Sequence, residues 1–209
     1  MRKSWVALAA LLLIGCTGPS GVPTLGFINS DVEDAYIPLE GTEYLVLRGD
    51  GAAVVLGDGV AVTSAHTGDL VNKKLVIGAS VDYDLMFFHT DKKLRGLPRE
   101  IPRVGERVIA YGQNEGGLRK AEGVVTALDA SVEAQCDTCA VQSAFTFDGN
   151  AGPGFSGGPV LDAASGRLIG IVFGYVEKPG GGRTIYAYDM ARVAEELKKV
   201  EDKLPVDTD

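Results

Sequence analysis

Residues 151–160 read Ala151-Gly152-Pro153-Gly154-Phe155-Ser156-Gly157-Gly158-Pro159-Val160. This places a serine in a glycine-flanked tight turn that runs into an apolar strand. A nucleophilic serine needs such a setting: Oγ must be exposed, and backbone N–H groups beside it must face a developing oxyanion without bulky neighbours in the way. The other common serine elbow, G-x-S-x-G, requires a strand–turn–helix context, and no helical pattern follows Ser156. The surroundings are β instead. From residue 42 onward, short runs punctuated by glycine predict strands at 43–48, 52–56, 60–64, 73–77, 84–89, 107–112, 118–128, 140–147, 158–161, 168–176 and 184–189. Gly57-Asp58-Gly59 between two alternating runs is a hairpin signal, and Pro179-Gly180-Gly181-Gly182 is another connector. One helix is expected at 190–200, where Met190, Val193, Leu197 and Val200 share a face and Asp189 can cap. Many short strands and one terminal helix define an all-β sandwich or barrel. The stretch 98–102, with two prolines, is a candidate crossover between two halves.

A serine nucleophile needs a base, and the 209-residue chain has only two histidines. His66 closes the alternating run Val60-Ala61-Val62-Thr63-Ser64-Ala65-His66, whereas His89 follows Phe87 and Phe88 and reads as a structural strand residue. A carboxylate must orient the imidazole. Asp82 and Asp84 would face the same side of a strand. Asp84 is favoured because the apolar run Leu85-Met86-Phe87-Phe88 begins immediately after it, and Asp82 suits a turn.

With these residues assembled, the chain resembles the chymotrypsin-fold (trypsin-like) serine peptidases. Thr63-Ser64-Ala65-His66, Asp84-Leu85-Met86-Phe87 and Gly154-Phe155-Ser156-Gly157-Gly158-Pro159 are similar to that family's three catalytic motifs and stand in its order. The flanks 104–112, 123–125 and 166–172 are similar to the bacterial HtrA/Do-type branch. The resemblance covers about 43 to 200. It implies two Greek-key six-stranded-type β-barrels with a C-terminal α-helix, with barrel 1 at about 40–97, barrel 2 at about 103–189 and the helix at 190–201. It also implies a serine endopeptidase in which His66, Asp84 and Ser156 are catalytic and the N–H groups of Gly154 and Ser156 form the oxyanion hole. Its substrate would be a protein or peptide. The implied primary pocket is walled by Asn150, Ala151 and Gly152, by Phe173, Gly174 and Tyr175, and by part of 185–188. Asn150 stands where arginine- and lysine-cleaving relatives carry a buried acid, so small or medium apolar side chains are expected instead. Seventeen residues separate His66 from Asp84, fewer than is usual, so the first barrel should be trimmed. Residue 155 is phenylalanine where many relatives carry aspartate or asparagine, and no PDZ-length segment follows. Rival readings of the same motifs are a catalytically inactive binding lipoprotein and an esterase-type acyl hydrolase.

The N-terminus reads as an address. Arg2 and Lys3 precede an apolar stretch of about ten residues, too short to span a bilayer of ~30 Å, and Leu13-Ile14-Gly15-Cys16 resembles a bacterial lipobox. A signal peptide at 1–15, a lipidated Cys16 and a flexible tether over 16–35 are therefore expected, with the domain at 36–203. The destination is the extracytoplasmic face of a bacterial membrane, and Thr17 fits outer-membrane sorting if the host has one. Cys136 and Cys139 stand as C-D-T-C. A metal site would need two further ligands, and no thioredoxin-like βαβ pattern surrounds the pair, so a short-loop disulfide in an oxidising compartment is the leading reading and free thiols the alternative.

Composition agrees. Hydrophobic residues are 45% and charged residues 23%, ordinary globular values. The net charge of −8 becomes −10 once Arg2 and Lys3 are removed, which disfavours a nucleic-acid partner. No pattern calls for a metal, nucleotide or organic cofactor. Eleven of the 28 glycines fall between Gly149 and Gly182, around Ser156.

Overall fold

The glycine-punctuated runs form two β units. A computed structural model of the chain describes residues 20–41, 49–132 and 142–204. The expected strand at 43–48 lies outside the described residues, as do Cys16, Cys136 and Cys139.

The first unit contains β2 (Tyr36–Glu40), β3 (Asp50–Gly57), β4 (Val60–Thr63), β5 (Val76–Ala79) and β6 (Met86–His89) in the order β2-β3-β4-β6-β5. Among the described residues this unit is a five-stranded antiparallel sheet, smaller than the second unit, as the short His66–Asp84 interval predicts. The β3–β4 hairpin turns at Gly57-Asp58-Gly59, all three at positive φ. Strand β2 lies ahead of the first expected strand and contains Pro38. It is tolerated because β2 is the edge strand, where a missing N–H costs no ladder bond.

The second unit is closed. Strands β7 (Arg107–Asn114), β8 (Gly117–Val132), β9 (Gln142–Gly149), β10 (Pro159–Asp162), β11 (Leu168–Glu177) and β12 (Arg183–Asp189) run in the order β8-β7-β10-β11-β12-β9, and β9 returns to β8. Closure depends on the 16-residue β8. Its first half pairs with β7 and its second half with β9 through two register shifts that bend it around the barrel. Helix α2 (Met190–Glu201) follows directly, with the Asp189 carboxylate accepting from the N–H groups of Ala191 and Arg192. The crossover is pinned where expected: Leu168 N–H donates to the Pro98 carbonyl and Glu100 N–H to the Leu168 carbonyl.

The expected tether is corrected from Ser20 onward. Val22–Pro23 (β1) pairs with β8 at Lys120 and Arg119, and Ser30–Ala35 forms a short helix α1 capped by Asn29. Phe27 packs against Tyr36 and Tyr111, and Val32 is fully buried. This arm therefore belongs to the fold: Phe27, Val32 and Ala35 reach core positions, while Val22, Leu25 and Ile28 stay exposed. One apolar cluster joins the two units through residues such as Val54, Phe87, Tyr111, Ile171 and Tyr188, and a second fills the barrel around Phe145, Phe147 and Phe155.

Candidate active site

His66 sits just past the end of β4, on a 3₁₀ segment at Ala65–Leu70. The small polar residues before and after it fix that turn. Thr63 Oγ1 donates to the Ala52 carbonyl at 2.7 Å, Thr67 Oγ1 to the Ser64 carbonyl at 2.7 Å, and Ser64 Oγ to the Val172 carbonyl of β11 at 3.1 Å. Thr63 and Ser64 are fully buried, so each hydroxyl must find a partner inside the protein, and these bonds lock the segment.

Asp84 lies two residues before β6. Its Oδ2 is 2.5 Å from His66 Nδ1, and its Oδ1 accepts the His66 backbone N–H at 2.9 Å. One carboxylate thus grips both the ring and the backbone of His66. With the Nδ1 proton committed to Asp84, Nε2 is the nitrogen left to act as a base. Asp84 is held in turn: its carbonyl accepts Ala65 N–H at 3.2 Å and its N–H donates to Tyr188 Oη at 3.2 Å. Burial raises the Tyr188 phenol above its usual range, so it stays protonated and its oxygen remains an acceptor. Asp82 is exposed and is not the residue placed on His66; its N–H donates to Ser80 Oγ. His89 is exposed at the far end of β6, not packed among the phenylalanines before it.

Ser156 lies on the turn between β9 and β10. Its carbonyl accepts Ala52 N–H of β3 at 2.9 Å, and Gly157 N–H donates to the Val172 carbonyl at 2.8 Å, the acceptor also used by Ser64 Oγ. The serine turn and the histidine turn are therefore laced to the same two strands, one from each unit. Gly157 is at φ +79, and a Cβ there would collide with the Ala52 carbonyl and Thr63 Oγ1. Gly154 is at φ +89, and its Cβ would run into the Gln113 carbonyl. Only glycine fits either place. Phe155, between them, is fully buried in the barrel and anchors the turn from below.

The amides of this turn divide into two sets. Phe155 N–H donates to Gly152 O, Gly157 N–H to Val172 O and Gly158 N–H to Phe155 O. The N–H groups of Gly154 and Ser156 have no acceptor among the described residues. Two spare donors flanking a serine hydroxyl are what an oxyanion would require. Ser156 is half-buried, and its Oγ is not hydrogen-bonded to His66; such contacts are often long without substrate.

Of the expected pocket wall, Asn150 is exposed, Ala151 and Gly152 are buried, Gly174 is half-buried and Tyr175 is exposed. Phe173 is the extra residue of a bulge between Val172 and Gly174 in β11, and its ring stacks on Tyr188 at 4.0 Å. Sequence reasoning missed Arg183. It is 5% exposed, its Nε donates to Glu177 at 2.8 Å, its Nη1 lies 3.4 Å from the carbonyls of Asn150 and Ala151, and its guanidinium covers the Tyr175 ring at 4.9 Å. The only signal was one cation at the start of an alternating strand. A cleft of about 500 Å³ borders His66 on the other side, lined by Asp69, Lys73, Val76 and Met86. No group of residues that could hold a metal ion occurs among the described residues.

The profile of the trypsin-like peptidase domain matches residues 42–171. No curated protein matches the chain. Among solved structures, the chain is similar to the inactive form of Rv3671c from M. tuberculosis H37Rv, with 21% identity and a TM-score of 0.67 over 90% of this chain and 98% of that one. It is also similar to the HtrA-type protease AlgW with a tripeptide, with 22% identity and a TM-score of 0.63 over 82% of this chain but only 61% of that one. A third is the protease domain of MamO from Magnetospirillum magneticum, with 19% identity and a TM-score of 0.60 over 79% of this chain and 96% of that one. At these identities the likeness is one of fold, and the fold is chymotrypsin-like.

Proposed function

The chain belongs to the trypsin-like peptidase domain family, and from that premise we propose that it is a serine endopeptidase working through Ser156, His66 and Asp84. The observation that carries this reading is the grip of Asp84 on both the ring and the backbone N–H of His66, which leaves Nε2 as the base. Ser156 Oγ attacks the peptide carbonyl as His66 Nε2 takes its proton. The resulting oxyanion is received by the N–H groups of Gly154 and Ser156. His66 then returns the proton to the leaving amine, and Asp84 stabilises the imidazolium formed in between. Water, deprotonated by the same nitrogen, cleaves the acyl-enzyme and restores Ser156.

The substrate is a protein or peptide, a reading supported by the likeness to AlgW, which was solved with a tripeptide. Small or medium apolar side chains suit the primary pocket, whose proposed wall includes Phe173 and Tyr175. Asn150 in the wall and the buried cation Arg183 behind it both weigh against lysine or arginine. Cys16 carries a lipid that holds the enzyme at the extracytoplasmic face of a bacterial membrane, a reading supported by the charge, apolar core and box of residues 2–16.

The test is hydrolysis of a mixed peptide library beside p-nitrophenyl esters. Cleavage of peptide bonds by the wild type, absent in Ser156→Ala, is the expected result. Turnover of esters alone would identify an acyl hydrolase, and no turnover by folded protein would identify a binding protein. Incorporation of a palmitate analogue in bacterial cells, lost in Cys16→Ser, tests the anchor.

A further inference from the structure

Helix α2 carries a buried carboxylate that acyl transfer does not use. Glu196 is 1% exposed, yet its Oε2 accepts the hydroxyl of Ser80, 116 positions away in the first unit, at 2.6 Å. Its Oε1 meets Lys199 Nζ at 2.7 Å, and Glu196 and then Glu195 hold that ammonium above its usual pKa. Glu196 is the middle of three contacts from one helix face. Arg192 covers the ring of Tyr83 at 4.7 Å, and Val200 fills the space left by Gly78. Residues 192, 196 and 200 follow the i, i+4, i+8 spacing of one stripe. Their partners at 78, 80 and 83 run along the segment that ends in Asp84.

Ser80 is the hub of that segment. A hydroxyl has one proton, and here it goes to Glu196. The oxygen is therefore turned as an acceptor toward the chain and receives Asp82 N–H at 3.1 Å and Tyr83 N–H at 3.0 Å. Ser80 N–H donates to Leu85 O at 2.8 Å and Leu85 N–H to Tyr83 O at 2.8 Å, so the turn closes around residue 84. Asp84 N–H then donates to Tyr188 Oη, directly before α2. We infer that Glu196 and Ser80 are positioning residues for Asp84: the terminal helix of the second unit sets the carboxylate that the short His66–Asp84 interval of the first unit cannot fix alone.

The inference rests on the peptidase reading only in taking Asp84 as the partner of a catalytic His66. Glu196→Gln cannot serve both neighbours, since its amide must turn NH₂ toward either Lys199 or Ser80. Ser80→Ala removes the hub, and Ser80→Thr keeps the hydroxyl. The full chain is labelled with a fluorophosphonate probe, and the low-field proton resonance of the His66 Nδ1–H bond is recorded by NMR. Labelling of Ser156 should slow by about tenfold to a hundredfold in Glu196→Gln and Ser80→Ala, the scale of a misplaced catalytic group. The low-field resonance should weaken with it, and Ser80→Thr should restore both. A merely structural role would lower the thermal midpoint but leave the rate and resonance of the folded fraction at wild-type values, and that overturns the inference. If the wild type is not labelled, the peptidase reading fails, and the resonance alone then decides whether Glu196 and Ser80 set Asp84.

Discussion

His66 and Asp84 come from the first unit, five strands among the described residues, whereas Ser156 comes from a turn inside a closed six-stranded barrel. The two halves hold their residues by different means. On the barrel side the backbone does the positioning: Gly154 and Gly157 adopt positive φ, Phe155 plugs the core, and the amides of Gly154 and Ser156 meet no acceptor among the described residues. On the sheet side, side chains do it. Thr63, Ser64 and Thr67 lock the histidine turn, while Ser80 and Tyr188 hold the aspartate turn. A closed barrel supplies a rigid frame against which a bare backbone can be aimed. The first unit fixes His66 and Asp84 through side-chain hydrogen bonds instead, some within it and some reaching Val172 and Tyr188 of the second.

The largest test of that contrast removes the reacting groups. Ser156→Ala and His66→Ala should each lower kcat for a cleaved peptide by roughly 10⁵- to 10⁶-fold, and the double variant should lose little more, because the two act as one unit. Asp84→Asn should follow, at about 10⁴-fold, since the amide favours the wrong imidazole tautomer. On the barrel side, Phe155→Ala empties a fully buried site and should cost about 3–5 kcal/mol in denaturant unfolding. Gly154→Ala should lower kcat by about 10²- to 10³-fold with KM little changed, because it displaces an oxyanion donor rather than a binding contact. Retained activity in Gly154→Ala would mean that the backbone does not supply the donor.

The smallest effect lies at the β10–β11 turn. Burial alone would raise the Asp162 carboxyl, but hydrogen bonding at Ser165 and from the Ala164 N–H outweighs it and holds the carboxyl below its usual range. A carboxyl depressed in the folded state stabilises above its unfolded pKa. Asp162→Ala should therefore cost about 1 kcal/mol at neutral pH, a solvent-weakened value. The difference from wild type should vanish as acid takes the folded carboxyl through its own pKa.

Much of this was legible in sequence because it is local. Alternation placed the strands of the barrel, the 3.6-residue period of Met190, Val193, Leu197 and Val200 placed α2, and glycines on either side of Ser156 marked its turn. Asp84 was separable from Asp82 by the apolar run that follows it. What was not legible depends on partners distant in the chain. Nothing near Arg183 says that it lies behind Asn150 and Ala151, and nothing near Glu196 says that it meets Ser80. Residues 20–35 read as a tether because the stretch is rich in small, polar, proline and glycine residues without a strand or helix period; only the fold gives Phe27 its Tyr111 and Val32 a core to enter.

The central claim is that Ser156 is a nucleophile activated by His66. Treating the full chain with a fluorophosphonate probe and mapping the adduct by mass spectrometry tests it most directly. One adduct on Ser156, absent from heat-denatured protein and from His66→Ala, is the expected result. Folded protein that carries no adduct, or that is labelled equally well without His66, would contradict it.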